Sequence, residues 1–199
     1  MHKYPKNILT LIAFLKKLPG VGNKTAERFC FDLIKWKDSD LKSFGQLLST
    51  ILESIKKCPI CGCLAENEKC HFCDLSQRDK TTLCIIASPK DLYLIEETNS
   101  YNGIYHVLEN LISPMDGFNI DDDNIKKLEN RIENLKIKEV IIALDSTLEG
   151  DATALFIKTK LKNMDLKISR LAFGLPIGSS LEYIDGGTLA KAFTGRQKF

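Results

Sequence analysis

The chain has 199 residues, 44% hydrophobic and 27% charged, enough for a substantial core spread over one or two domains. No stretch reads as a membrane-spanning helix, and Lys16 and Lys17 interrupt the short apolar run after Lys6, so no export pattern is present and the expected compartment is the cytoplasm. The net charge of +2 is unevenly spread: residues 1–57 hold 11 Lys and Arg against 5 Asp and Glu, net +6, whereas the remainder holds 17 against 21, net −4.

The basic end opens with Ile8, Leu9, Leu11, Ile12 and Leu15, an amphipathic helix that stops before Leu18 and Pro19. "LPGVGNKTAER" (18–28) follows, and then Ala26, Phe29, Cys30, Leu33 and Ile34 recur at helical spacing. Gly20 and Gly22 admit backbone conformations closed to other residues, and Asn23 is placed to cap the second helix. Lys24 and Arg28 fall off the apolar face in the first turns, against the helix dipole. Backbone N–H groups at a helix N-terminus bind phosphate, and nearby cations reinforce them. The unit resembles the helix-hairpin-helix of DNA repair proteins, which implies sequence-independent binding of the DNA backbone. A third helix carries Leu41, Phe44, Leu47, Leu48, Ile51, Leu52 and Ile55 as a stripe expected in the core against the hairpin, capped by Ser39 or Asp38.

"CPICGCLAENEKCHFC" pairs Cys58 with Cys61 and Cys70 with Cys73, each at C-x2-C spacing. Four thiolates at about 2.3 Å complete tetrahedral zinc and leave no open position for chemistry, so the expected ion is structural. The loop between the pairs is too short for a core of its own, which makes metal the reason for it to fold. Cys63 and His71 break the paired geometry and are discounted, and Cys30 and Cys84 are expected as packing residues.

From Thr82 the pattern becomes alternating strands and helices. "LCIIA" (83–87) and "EVIIAL" (139–144) read as buried parallel strands, with "IYHVL" (104–108) and "KISRLAF" (167–173) as two more. Asp121, Asp122 and Asp123 mark the acidic start of a helix through Ile125, Leu128, Ile132 and Leu135, and another helix follows Gly150. The expected fold class is α/β in several modules: an N-terminal helical hairpin (1–57), a small zinc module (58–73), a parallel-sheet domain (81–175) and a C-terminal extension (176–199).

The order of modules, with "SPKDLYLIE" after the first strand, "TLEGDATA" (147–154) and "GLPIGSSLEYIDGGTLAKAFTGR" (174–196), closely resembles the RecR family of bacterial recombination mediators. The resemblance implies a Toprim fold for the sheet domain, ring-like homo-oligomers (dimer or tetramer) closed around DNA at the nucleoid, and RecO and RecF as partners. It also likens "LEYIDGG" to a Walker-B stretch, although no phosphate loop accompanies it and a strand and turn that pack or exchange between subunits is the plainer reading. Catalytic Toprim proteins hold Mg²⁺ with a glutamate after the first strand and a later D-x-D pair. Here those positions are Ala87 and Asp145-Ser146-Thr147, so Asp145 is left as an acidic remnant with Glu149 and Asp151 nearby. The expected function is non-enzymatic, DNA-binding mediation of recombinational repair that helps load recombinase on single-stranded DNA. A Toprim nuclease or primase would need the missing glutamate, and a zinc-ribbon adaptor that binds only protein would not need the basic hairpin.

Overall fold

The computed structural model describes residues 4–66, 70–113, 120–172 and 174–196. The chain divides after Ser54 into two compact units. In the first, Lys6–Leu15 (α1) and Asn23–Leu33 (α2) form the hairpin. Ile12, Ala26 and Cys30 are its buried centre, with Tyr4, Ile8, Leu11, Leu15 and Val21 packed around them. Gly20 sits at φ +77°, the left-handed turn that reverses the chain. Gly22 does not need that freedom: it is extended, at φ −78° and ψ 175°.

Asn23 is not the cap of α2. Gly22 holds that position, its carbonyl accepting from Ala26 N at 2.9 Å, and no side chain caps the end. Asn23 is the first helical residue instead, where its amide reaches along the helix and donates to Glu27 Oε1 at 2.9 Å. The third helix, Asp38–Ser54 (α3), also differs from expectation. Lys37 supplies the first accepting carbonyl, so Asp38 and Ser39 lie within the first turn and neither precedes it. The apolar stripe of α3 is not core: none of its residues is buried, and Leu52 is 86% exposed. The buried cluster of the hairpin is built from α1, α2 and the residues around them and takes in no residue of α3. Phe44, at its start, meets Trp36 edge-on with ring centroids 5.7 Å apart.

The second unit opens with an antiparallel ribbon, Ile55–Lys57 (β1) and Leu64–Glu66 (β2). A parallel sheet follows in the order β4-β3-β5-β6, made of Asp79–Ile86 (β3), Gly103–Val107 (β4), Glu139–Ala143 (β5) and Lys167–Arg170 (β6). β6 ends at Arg170, earlier than the apolar run implied, and Phe173 lies outside the described residues. Helices Pro89–Glu97 (α4), Asp122–Leu135 (α5) and Leu148–Lys160 (α6) connect the strands. Successive residues of a strand face opposite sides, so β3 serves two cores. Leu83 and Ile85 join Ile125, Leu128 and Ile132 of α5 and Ala154 and Ile157 of α6. Cys84 and Ile86 join Leu92 of α4, Tyr105 and Val107 of β4, and Cys58, Cys61, Cys63 and Ala65 of the cysteine segment. Both sheet faces are covered, which is why β3 and β5 read as continuous apolar runs.

α6 begins at Leu148, ahead of Gly150, because the Thr147 hydroxyl accepts from Gly150 N at 3.1 Å and caps the helix there. A Cβ on Gly150 would come within 2.1 Å of the Asp145 carbonyl, so the loop after β5 can lie against this turn only if the residue is glycine. Asp121 caps α5 and accepts from Asp123 N, as the acidic start implied. The C-terminal "LEYIDGG" is not a strand. Leu181–Tyr183 is a short 3-10 turn, and Asp185 caps the helix Gly186–Thr194 (α7) by accepting from Thr188 N at 3.0 Å. The Asp-Gly-Gly sequence starts a helix, which ends any extended run before it. Among the described residues, no helix is long and apolar enough to cross a membrane.

Within β4, His106 is 3% exposed. Asn124 donates to the carbonyls of Leu108 at 3.1 Å and Val107 at 3.4 Å, which fixes its amide so that Oδ1 accepts from His106 Nε2 at 2.7 Å. Burial pushes the imidazole down from 6.5 to about 4. The unfolded chain therefore takes up a proton below pH 6.5 that the folded chain refuses until about pH 4, so folding stability is lost as pH falls through that window. Roughly 3 kcal/mol is expected to disappear on reaching pH 4. Urea unfolding of the parent and of His106→Gln between pH 7 and pH 4 checks this, since the difference between the two isolates the histidine. Parallel curves would refute it.

Candidate metal centre and nucleic-acid interface

The cysteine segment folds back on itself through short backbone bonds. Cys58 N donates to the Cys63 carbonyl at 2.7 Å, and Gly62 N donates to the Cys58 carbonyl at 2.9 Å. Gly62 makes this turn at φ +77°, and a Cβ there would press to 2.9 Å from Val107 Cβ. Val107 N donates to the Cys61 carbonyl at 2.8 Å, so the knuckle continues the edge of β4. His71–Cys73 forms a 3-10 turn that brings the second pair over the first. The Sγ atoms of Cys58, Cys61, Cys70 and Cys73 all lie within 4.8 Å of one another. Cys58 and Cys73 are 3.8 Å apart and Cys61 and Cys70 3.5 Å. The edge of a tetrahedron of thiolates around zinc is about 3.8 Å, so the donor set fits one ion. Cys63 is buried but outside the group, and His71 is exposed. Thiol donors from Cys63, Cys70 and Cys73 hold Cys61 well below the usual thiol range, and the same sharing raises Cys70 to about 11. Of these sulfurs, that of Cys61 is the one whose neighbours favour the thiolate, the form that ligates metal.

Phe72, between the second pair of cysteines, docks the segment on the sheet. Its ring meets Tyr93 and Tyr105 edge-on, at 6.0 and 6.1 Å between centroids. The Arg78 guanidinium lies 5.6 Å from the Phe72 ring and 5.3 Å from that of Tyr105, and pairs with Glu96 at 2.5 Å. A second arginine, Arg131 of α5, is buried with Nη2 at 3.8 Å from Cys73 Sγ. Neither arginine stands out in the sequence, because each is separated by many residues from the group it serves; Arg131 and Cys73 are 58 positions apart.

On the hairpin, Gly20, Gly22, Asn23, Lys24 and Arg28 are all exposed. Lys24 and Arg28 are one turn apart on α2, away from buried Ala26 and Cys30. The N-terminus of α2 has no side-chain acceptor, so its backbone donors and these two cations share one surface.

The acidic remnant in the sheet domain is crossed by cations that sequence spacing does not reveal. Asp151 pairs with Arg170 at 2.6 Å and Lys191 at 3.6 Å. Arg170 also reaches the Asp145 carbonyl at 3.5 Å, and Lys191 donates to the Ser146 hydroxyl. The Arg170 hydrogen bond holds the Asp151 carboxyl below its ordinary range. Asp145 is exposed at the C-terminal end of β5, and Ala87 follows β3. Among the described residues, the four cysteines form the one cluster suited to a metal ion, and Asp145, Glu149 and Asp151 do not form another.

Three family models match the chain: "RecR, helix-hairpin-helix" over residues 8–52, "Toprim domain" over 81–172 and "RecR, C-terminal" over 174–197. The recombination protein RecR of Protochlamydia amoebophila is 52% identical over 197 residues, covering 99% of this chain and all of that protein. Those of Chlamydia pneumoniae and Chlamydia trachomatis serovar D are 48% and 46% identical, each covering the whole of both chains. The N-terminal hairpin and the parallel four-stranded sheet coincide with the first two of these spans, and the four cysteines lie between them. The chain belongs to the RecR family of recombination proteins.

Proposed function

We propose that the protein is a non-enzymatic mediator of recombinational repair, which binds DNA without sequence preference and, with RecO and RecF, helps load recombinase onto single-stranded DNA. Its hairpin region (1–57) would hold the phosphate backbone through Lys24 and Arg28, with Gly20, Gly22 and Asn23 shaping the approach. Its zinc module (58–73) would hold one structural Zn²⁺ through Cys58, Cys61, Cys70 and Cys73. Four thiolates favour zinc over harder cations, and a saturated tetrahedron supplies no reactive position. The Toprim-like domain (81–175) and C-terminal segment (176–199) would serve assembly into a dimer or tetramer ring, at the nucleoid in the cytoplasm.

The engagement of Asp151 by Arg170 and Lys191 carries the non-catalytic reading. Where a Toprim enzyme holds Mg²⁺ between several carboxylates, this chain has alanine at residue 87 and sets two of its own cations on Asp151. A divalent ion there would have to displace them.

Gapped DNA coated with single-strand-binding protein, incubated with recombinase, RecO, RecF and Mg²⁺, tests the reading. Adding the protein should shorten the lag of recombinase assembly, leave the DNA uncut and unextended, and do so equally well as Asp145→Ala. Cleavage or extension that vanished in Asp145→Ala would replace the mediator with an enzyme.

A further inference from the structure

Arg131 has an unusual set of partners. It is 7% exposed, on the last full turn of α5. Its Nη1 donates to the Tyr105 carbonyl, its Nη2 faces Cys73 Sγ at 3.8 Å, and its Nε has no hydrogen-bond partner. None of the ion pairs among the described residues involves it. A buried guanidinium is costly unless an anion answers its charge. The carbonyl is neutral, and among the described residues the Cys73 sulfur is the remaining partner that can carry the charge. Four thiolates around a divalent ion carry a net charge of −2, which a cation against one ligand offsets.

Cys73 also borders open space on the side of the arginine. With Pro59, Ile60, Leu75 and Arg131 it lines a cleft of about 370 Å³. Cys58 and Cys61 are buried residues that edge a second cleft, of about 190 Å³, whereas Cys70 and Cys73 are partly exposed. A competing chelator or proton entering the cleft would meet Cys73 beside the arginine.

We infer that Arg131 is the counter-charge and sulfur hydrogen-bond donor of the metal centre, and that it slows metal release by stabilising the Cys73 thiolate from the mouth of the cleft. This rests on the reading that the four cysteines hold a metal. Hydrogen bonds around a metal's ligands alter affinity by tenfold to a hundredfold in comparable centres, and that sets the expected size. It also gives α5 a part in the centre: the helix supplies a charge to the cysteine segment as well as an apolar face to the sheet.

The test compares the parent, Arg131→Met and Arg131→Lys, each loaded with Zn²⁺ and separately with Co²⁺. Zinc transfer to a chromogenic chelator should be at least tenfold faster from Arg131→Met, with Arg131→Lys between the two. The sulfur-to-cobalt charge-transfer band should move to lower energy in Arg131→Met, because a thiolate without its donor gives up charge more readily, and should move less in Arg131→Lys. Looser packing of α5 would speed release without displacing the band, so an unmoved band in Arg131→Met overturns the inference while the metal reading survives. Should the methionine variant fail to fold, a lysine variant that matches the parent in both rate and band overturns it as well. A parent protein that takes up neither ion removes the metal reading itself, and the inference with it.

Discussion

Cys58→Ser is expected to abolish metal binding and to leave the second unit without a stable fold. The parent should carry about one zinc per chain, as a four-thiolate site requires, and the variant none. The binding free energy of a structural zinc is folding free energy, about 10 kcal/mol or more, while a whole domain is stable by about 5–15 kcal/mol. Removing one ligand therefore uses up most of the margin. The damage should spread beyond the knuckle, because Cys58, Cys61 and Cys63 share a core with Ile86, Tyr105 and Val107. Elemental analysis, near-ultraviolet circular dichroism and soluble yield measure the effect, and chelator treatment of the parent should reproduce it. The α1–α2 hairpin buries Ile12, Ala26 and Cys30 among its own residues and should keep its helical signal. A metal-free variant melting with the parent would defeat the claim.

Reversing both hairpin cations, Lys24→Glu with Arg28→Glu, should weaken binding to every DNA by a similar factor, about tenfold or more at moderate salt. The slope of log affinity against log salt should flatten by about 0.9 for each phosphate that the variant no longer neutralises on duplex DNA. Both side chains are exposed, and neither belongs to the buried cluster of the hairpin. Melting temperature and oligomer mass should thus barely change, which separates weakened phosphate binding from a damaged fold. Fluorescence anisotropy across a salt series, on two unrelated sequences, makes the measurement. Unchanged affinity in the double variant would leave "LPGVGNKTAER" as an ordinary turn.

What was legible in the sequence has a common cause: each such feature is set by residues a few positions apart. The C-x2-C pairs locate the ligands, since two thiolates on one knuckle need that spacing. The runs 83–87 and 139–144 announce buried strands because a sheet covered on both faces has no polar side to show. Gly20 marks the hairpin turn because its left-handed backbone angle strains a residue that carries a side chain. Capping is less legible, since Gly22 and Asn23 are adjacent candidates for the start of α2 and one hydrogen bond, from Ala26 N to the Gly22 carbonyl, settles the choice. The stripe of α3 has the spacing of a core helix, yet spacing does not say whether a surface exists to receive it. Arg131, Arg78, Arg170 and Lys191 were not visible as site residues at all. In sequence they are scattered cations like any others, and their roles come from chain folding that sets each beside an anion or a ring far along the polypeptide. Charge compensation in a buried site depends on distances of a few ångströms between remote residues, and those distances exist only once the sheet, α5 and the cysteine knuckle have packed together.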